Sequence, residues 1–137
     1  MKAASRARIV AATVFAFVAG MASAADAKML GDPKAGEGIY SRCLACHALA
    51  YDRTGPRHCG LIGRKAGSVP GFAYSDAMKR SKIVWNEKTL DRFLADPMKT
   101  VPGTAMGYAG IVDHKERFDL IAYLKQAGAS PDCGKRH

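Results

Sequence analysis

The chain has 137 residues, 48% of them hydrophobic, with 21 basic against 12 acidic side chains and a formal net charge of +9. That length suits one domain rather than two. Lys and Arg are spread from Lys28 to Arg136 without a run of five, which excludes a nucleic-acid-binding arm and leaves a dispersed positive face suited to acidic partners.

The N-terminus comes first in chain order. Lys2, Arg6 and Arg8 make a basic region, Ile9 to Ala19 is an apolar run, and Ala22-Ser23-Ala24 offers a small-residue cleavage site. This is the pattern of a signal peptide, and the apolar run falls well short of the roughly 20 residues a membrane span needs. No later segment approaches that length. We therefore expect residues 1–24 to be cleaved and 25–137 to form a single exported domain with no permanent membrane span. Three of the 21 basic residues and none of the 12 acidic ones lie in 1–24, so removal lowers the net charge from +9 to +6.

The first predicted helix has Asp32 as N-cap and Pro33 at the first helical position, with Gly36, Ile39, Tyr40 and Cys43 on one face. It leads directly into Cys43-Leu44-Ala45-Cys46-His47. Two thiols one helical turn apart can meet the two vinyl groups of one porphyrin, and the histidine that follows can supply a nitrogen to its iron. The competing chemistries for a C-x-x-C pair are a redox dithiol and half of a zinc site. Zinc would want a second pair at similar spacing, but Cys59 and Cys133 stand alone. The motif is thus read as covalent haem attachment with His47 as an axial ligand, and in bacteria that attachment takes place outside the cytoplasm, in keeping with the leader.

Beyond the motif, a short helical turn is predicted to start at Ser75. A longer helix runs from an Asn86 cap through Leu90, Phe93 and Leu94 and must end near Asp96, because Pro97 follows. In the last helix Leu120, Tyr123, Leu124 and Ala127 repeat at helical spacing, with Gly128 as the stop before Pro131. The first and last helices should pack together, with Gly36 allowing close approach. No alternating apolar pattern is long enough for a strand, and there is no internal repeat. The fold class expected is all-α.

A second axial ligand must come from Met29, Met78, Met98, Met106, His58, His114 or His137, the remaining residues of the two usual types outside the leader. Met106 stands 59 residues after His47, in Val101-Pro102-Gly103-Thr104-Ala105-Met106, where Pro and Gly remove the helical alternative and fix a tight path. That context favours Met106; a methionine without such context is ordinarily core filler. The two leftover cysteines, Cys59 and Cys133, are expected to pair as a disulfide in an oxidising compartment.

Taken in order, Cys43 to His47, Thr54-Gly55-Pro56, Gly60 to Arg64, Pro70 to Ser75, Ile83-Val84-Trp85, Pro102 to Met106 and Asp119 to Leu124 resemble class I cytochromes c, in particular the mitochondrial cytochrome c and bacterial cytochrome c2-like group, over residues 31–127. The resemblance implies a small fold of three to five short helices around one covalent haem c, the terminal helices packed together. It implies thioethers at Cys43 and Cys46, His47 and Met106 as axial ligands, and the Pro56 carbonyl as the partner of the other His47 nitrogen. Arg64, Tyr74, Trp85 and Thr104 fall at haem-binding positions of the family, the first three at those that hold the propionates. The chain departs from the pattern at Phe93, where Tyr is common, at Met98 and Ala105, where basic residues are common, and at His58, which replaces an apolar residue.

An iron with both axial positions filled offers no open site, so the resemblance implies a periplasmic one-electron carrier and no enzyme. Its partners would be redox proteins with acidic docking surfaces, such as a periplasmic dehydrogenase, a cytochrome bc1-type complex or a terminal oxidase, and the free carrier would be monomeric. Two other readings stay open at this point. One is a dedicated haem subunit of a periplasmic dehydrogenase or oxidase; the other is a haem enzyme or gas sensor with a labile distal ligand.

Overall fold

A computed structural model describes residues 31–134. The leader at 1–24, its cleavage site, Met29 and His137 lie outside the described residues.

Helix α1 (Pro33–Tyr40) starts where the sequence predicts, because the Asp32 carboxylate accepts from the Lys34 amide at 2.9 Å and Pro33 has no amide to satisfy. It tightens into a 3-10 turn over Ser41–Cys43, and the Cys46 and His47 amides both donate to the Cys43 carbonyl, at 3.0 and 2.8 Å. Helical winding therefore continues through the C-x-x-C-H motif and fixes the relative positions of its three side chains.

Helix α2 (Asp76–Arg80) begins at Ser75, whose hydroxyl accepts from the Met78 amide. Helix α3 (Glu87–Ala95) is held at its start by a reciprocal pair, the Asn86 side chain accepting from the Thr89 amide and the Thr89 hydroxyl from the Asn86 amide. It ends at Ala95 as Pro97 requires. The next four residues wind again as α4 (Pro97–Thr100), capped by the Asp96 carboxylate on the Lys99 amide. That helix was not expected, although Asp96-Pro97 repeats the Asp32-Pro33 start of α1. Helix α5 (His114–Gly128) is capped by Asp113 on the Glu116 amide. Gly128 is its last helical residue rather than the stop beyond it; Ala129, at φ −99° and ψ 0°, forms the cap.

Helices α1 and α5 make the main contact of the fold, with α3 packed on α5. A Cβ on Gly36 would overlap the Asp119 carbonyl, so only glycine lets the two backbones come this close. Tyr40 packs on Tyr123 with ring centroids 5.1 Å apart, and Arg42 forms a two-pronged pair with Glu116 at 2.7 and 2.8 Å. Leu120, Ile121 and Leu124 of α5, Ile39 and Tyr40 of α1, and Leu90, Phe93 and Leu94 of α3 form one buried cluster with Leu61, Trp85 and Ile111. The long loops wrap this cluster. Among the described residues the only extended pairing is a single antiparallel bridge between Lys65 and Val84, and the chain is otherwise helix and loop.

Candidate functional site

His47 is the centre of the site. Its side chain is 9% exposed, and Nδ1 lies 2.8 Å from the Pro56 carbonyl. A carbonyl can only accept, so Nδ1 carries the proton and donates, which leaves the lone pair on Nε2 for a metal. Burial pushes the ring's basicity down, and the bond to Pro56 opposes that only in part. His47 is thus neutral, the form that ligates a metal. Gly55 sits against the ring so closely that a Cβ would overlap Cε1, Nδ1 and Nε2.

The motif cysteines are free thiols on the same turn, Cys43 half-buried against the core and Cys46 exposed. Burial raises the Cys43 thiol above its ordinary range, so it is held protonated. Two unpaired thiols, a neutral imidazole with its second nitrogen free and an adjoining apolar cluster are the donor set that a covalently attached haem needs. Among the described residues no three His, Cys, Asp or Glu side chains gather as metal ligands.

The candidate distal ligands sort by position. Met78 is buried in the core at 8% exposure, Met98 is half exposed on α4, and Met106 is partly buried where the 101–113 loop packs against the core. The loop before Met106 is fixed by the Thr104 amide on the Val101 carbonyl at 2.9 Å, by Gly103 at φ +89°, and by the Met106 amide donating to the buried Thr104 hydroxyl at 3.3 Å. His114 opens α5, edge-on to Phe118 and 3.7 Å from the Asp91 carboxylate.

Trp85 is buried, tilted on Phe93 with centroids 5.0 Å apart, and Tyr74 packs edge-on to Phe72. Cys43, Tyr74 and Met106 all pack against the cluster that contains Trp85. The Arg64 guanidinium donates to the Arg57 and Cys59 carbonyls at 2.8 and 2.9 Å, and through them shapes the loop that follows Pro56. Cys59 and Cys133 meet within bonding distance, Cα atoms 5.2 Å apart, at the start of that loop and in the C-terminal turn.

One contact of the site was not expected. The His58 ring stacks on His47 with centroids 4.3 Å apart and 21° between planes, and its Nδ1 pairs with the Tyr40 hydroxyl at 3.1 Å. Burial, then the neighbouring His47 and Arg64, push its pKa down to about 3, so it is neutral. The signal available in the sequence was a polar residue at an apolar place two residues after Pro56; its contact with His47 depends on how the loop folds back.

Residues 33–128 match the family model described as cytochrome c. The chain is 45% identical over 103 residues to cytochrome c2 of Rhodomicrobium vannielii, covering 73% of this chain and 82% of that protein. It is 56% identical over 97 residues to cytochrome c of Tetrahymena pyriformis, covering 69% and 88%. Among solved structures, cytochrome cH from Methylobacterium extorquens superposes with a TM-score of 0.69 at 46% identity, covering 70% of this chain and 99% of that one.

Proposed function

Because the chain belongs to the cytochrome c family, whose members carry a covalent haem c and transfer electrons rather than act as enzymes, we propose that it is a periplasmic one-electron carrier with His47 and Met106 as axial ligands. When bound, the haem supplies a single reversible electron step between ferric and ferrous iron. The observation that carries this reading is the neutral His47 ring, its Nδ1 tied to Pro56 and its Nε2 free, on the helical turn that holds Cys43 and Cys46.

The chain's own residues divide the work. Cys43 and Cys46 form the thioethers and fix the macrocycle to the end of α1. Pro56 fixes the tautomer and orientation of His47. Thr104 holds the loop that presents Met106. Arg64, Tyr74 and Trp85 would supply the propionates with donors and positive charge, which would offset the cost of carboxylates beside an apolar pocket. With His47 and Met106 as its ligands the haem would offer no open site, and the chain would exchange electrons near Cys43 and Cys46 in transient complexes with acidic partners such as a periplasmic dehydrogenase, a cytochrome bc1-type complex or a terminal oxidase.

Export follows from the leader at 1–24, which leaves 25–137 as one domain. In the oxidising periplasm Cys59 and Cys133 form a disulfide. Among the described residues no helix is long and apolar enough to cross a membrane.

The test is the optical spectrum of the purified holoprotein, ferric and ferrous, with and without carbon monoxide. A low-spin ferrous haem that resists carbon monoxide at neutral pH is expected, and Met106→Ala should bind it rapidly. Rapid binding by the unaltered protein, or a ferric Met106→Ala spectrum identical to it, would overturn the assignment of Met106.

A further inference from the structure

His58 is a polar side chain where an apolar one would pack, and it is only partly exposed to solvent. Burying an imidazole is costly unless its polar atoms are partnered. Here Nδ1 has the Tyr40 hydroxyl, and Tyr40 is itself 3% exposed and locked against Tyr123.

The backbone on either side is held more firmly than a simple loop requires. The His58 amide donates to the Ala48 and Leu49 carbonyls, both at 3.1 Å, and the Cys59 amide to the Leu49 carbonyl at 2.8 Å. Arg64 grips the carbonyls of both neighbours, Arg57 and Cys59, and Cys59 also meets Cys133. With its backbone clamped and its ring tied to Tyr40, His58 has no freedom to turn away from His47. The bond from His47 Nδ1 to Pro56 and the close approach of Gly55 hold the ligand ring along one edge, and the His58 ring stacked on its face restrains its tilt further.

We propose that His58 is a positioning residue for His47, the two rings and the Tyr40 hydroxyl forming one unit that fixes the plane the ligand presents to the iron and lowers the reduction potential of the haem. The inference rests on His47 being the axial ligand. The sign follows from charge. Ferric haem carries one more positive charge than ferrous, so a polarisable, hydrogen-bonded imidazole against the ligand stabilises the ferric form more than an aliphatic side chain does. The position thus gives the chain a means of setting its potential from behind the ligand, independent of the methionine side.

The experiment compares holoprotein variants by equilibrium redox titration and by the spread of haem-methyl shifts in the proton NMR spectrum of the ferric form, which reports the orientation of the axial ring. His58→Leu should raise the potential and change the methyl spread while the protein stays folded. His58→Phe, which restores an aromatic stack without the nitrogen, should return the methyl spread towards the unaltered pattern. Tyr40→Phe should raise the potential, and add nothing when combined with His58→Leu. A folded His58→Leu protein with unchanged potential and methyl spread overturns the inference while leaving the ligand assignment intact. An unaltered protein whose spectra show no histidine ligand at all overturns both.

Discussion

Gly55 decides how His47 can be held. Its position against Cε1, Nδ1 and Nε2 leaves no room for a side chain, and the next residue supplies the carbonyl on which Nδ1 rests. A single methyl group there must displace either the ligand ring or the loop that orients it. Gly55→Ala should therefore cost the holoprotein about 1–3 kcal/mol, the range for forcing extra volume into a packed site. Chemical denaturation of the two holoproteins measures it. A variant as stable as its parent would mean that the loop yields without cost and that the close approach has no structural role. The same contact explains why Thr54-Gly55-Pro56 is readable in the sequence. Only glycine fits against the His47 ring, and the residue after it must present its carbonyl to Nδ1, so the Gly-Pro pair marks the loop.

At the scale of elements, Asp119 joins the two terminal helices. From within α5 its carboxylate accepts the Asp32 amide, at the cap of α1, at 2.7 Å, and the Lys115 ammonium at 2.6 and 2.7 Å. Burial alone would raise its pKa, but the Lys115 and Asp32 bonds outweigh burial and hold it below the usual carboxylate range. A carboxylate lowered by folding binds fewer protons in the native than in the unfolded state, so its contribution is complete above about pH 4 and lost as pH falls through the lowered value. Asp119→Asn should lower stability near neutrality and flatten the acid limb of a plot of denaturation midpoint against pH. Parallel acid limbs in parent and variant would remove Asp119 from the α1–α5 junction. Of this junction, the helices, the Gly36 approach and the helix faces that carry Tyr40 and Tyr123 were legible from spacing and caps, because those are local or periodic signals. The Asp32–Asp119 bond was not, since it joins residues 87 apart and no local pattern announces such a pair. Helix α4 was legible in principle, for Asp96-Pro97 is a cap followed by proline, but the same proline also reads as the end of α3. His58 shows the other limit: its residue type was visible as a departure, while its stacking on His47 is set by a loop whose path no periodicity encodes.

For the whole molecule, the question is what secures the long loops, since the helices account for only part of the chain and the buried cluster is small for so much irregular backbone. Covalent links answer it at two places. On the proposed reading, thioethers at Cys43 and Cys46 would attach the end of α1 to the macrocycle, and the Cys59–Cys133 pair attaches the C-terminal turn to the loop that carries Pro56 and His58, at a sequence separation of 74. Closing a loop of that length removes entropy from the unfolded chain worth roughly 4 kcal/mol in the chain-entropy model, less any native strain. It also ties Gly60, whose amide donates to the Gly128 carbonyl at 3.3 Å, to the end of α5, so the loop behind His47 and the last helix unfold together rather than one after the other. A Cys59→Ser, Cys133→Ser protein should thus unfold at a markedly lower denaturant concentration, and its loop 57–61 should exchange amide protons faster than α1 does. Thiol titration of the denatured, unreduced holoprotein checks the premise. With the motif cysteines bonded to haem as proposed, no free thiol is expected, and finding two would mean that Cys59 and Cys133 are unpaired and that the loop is held by Arg64 and its backbone bonds alone.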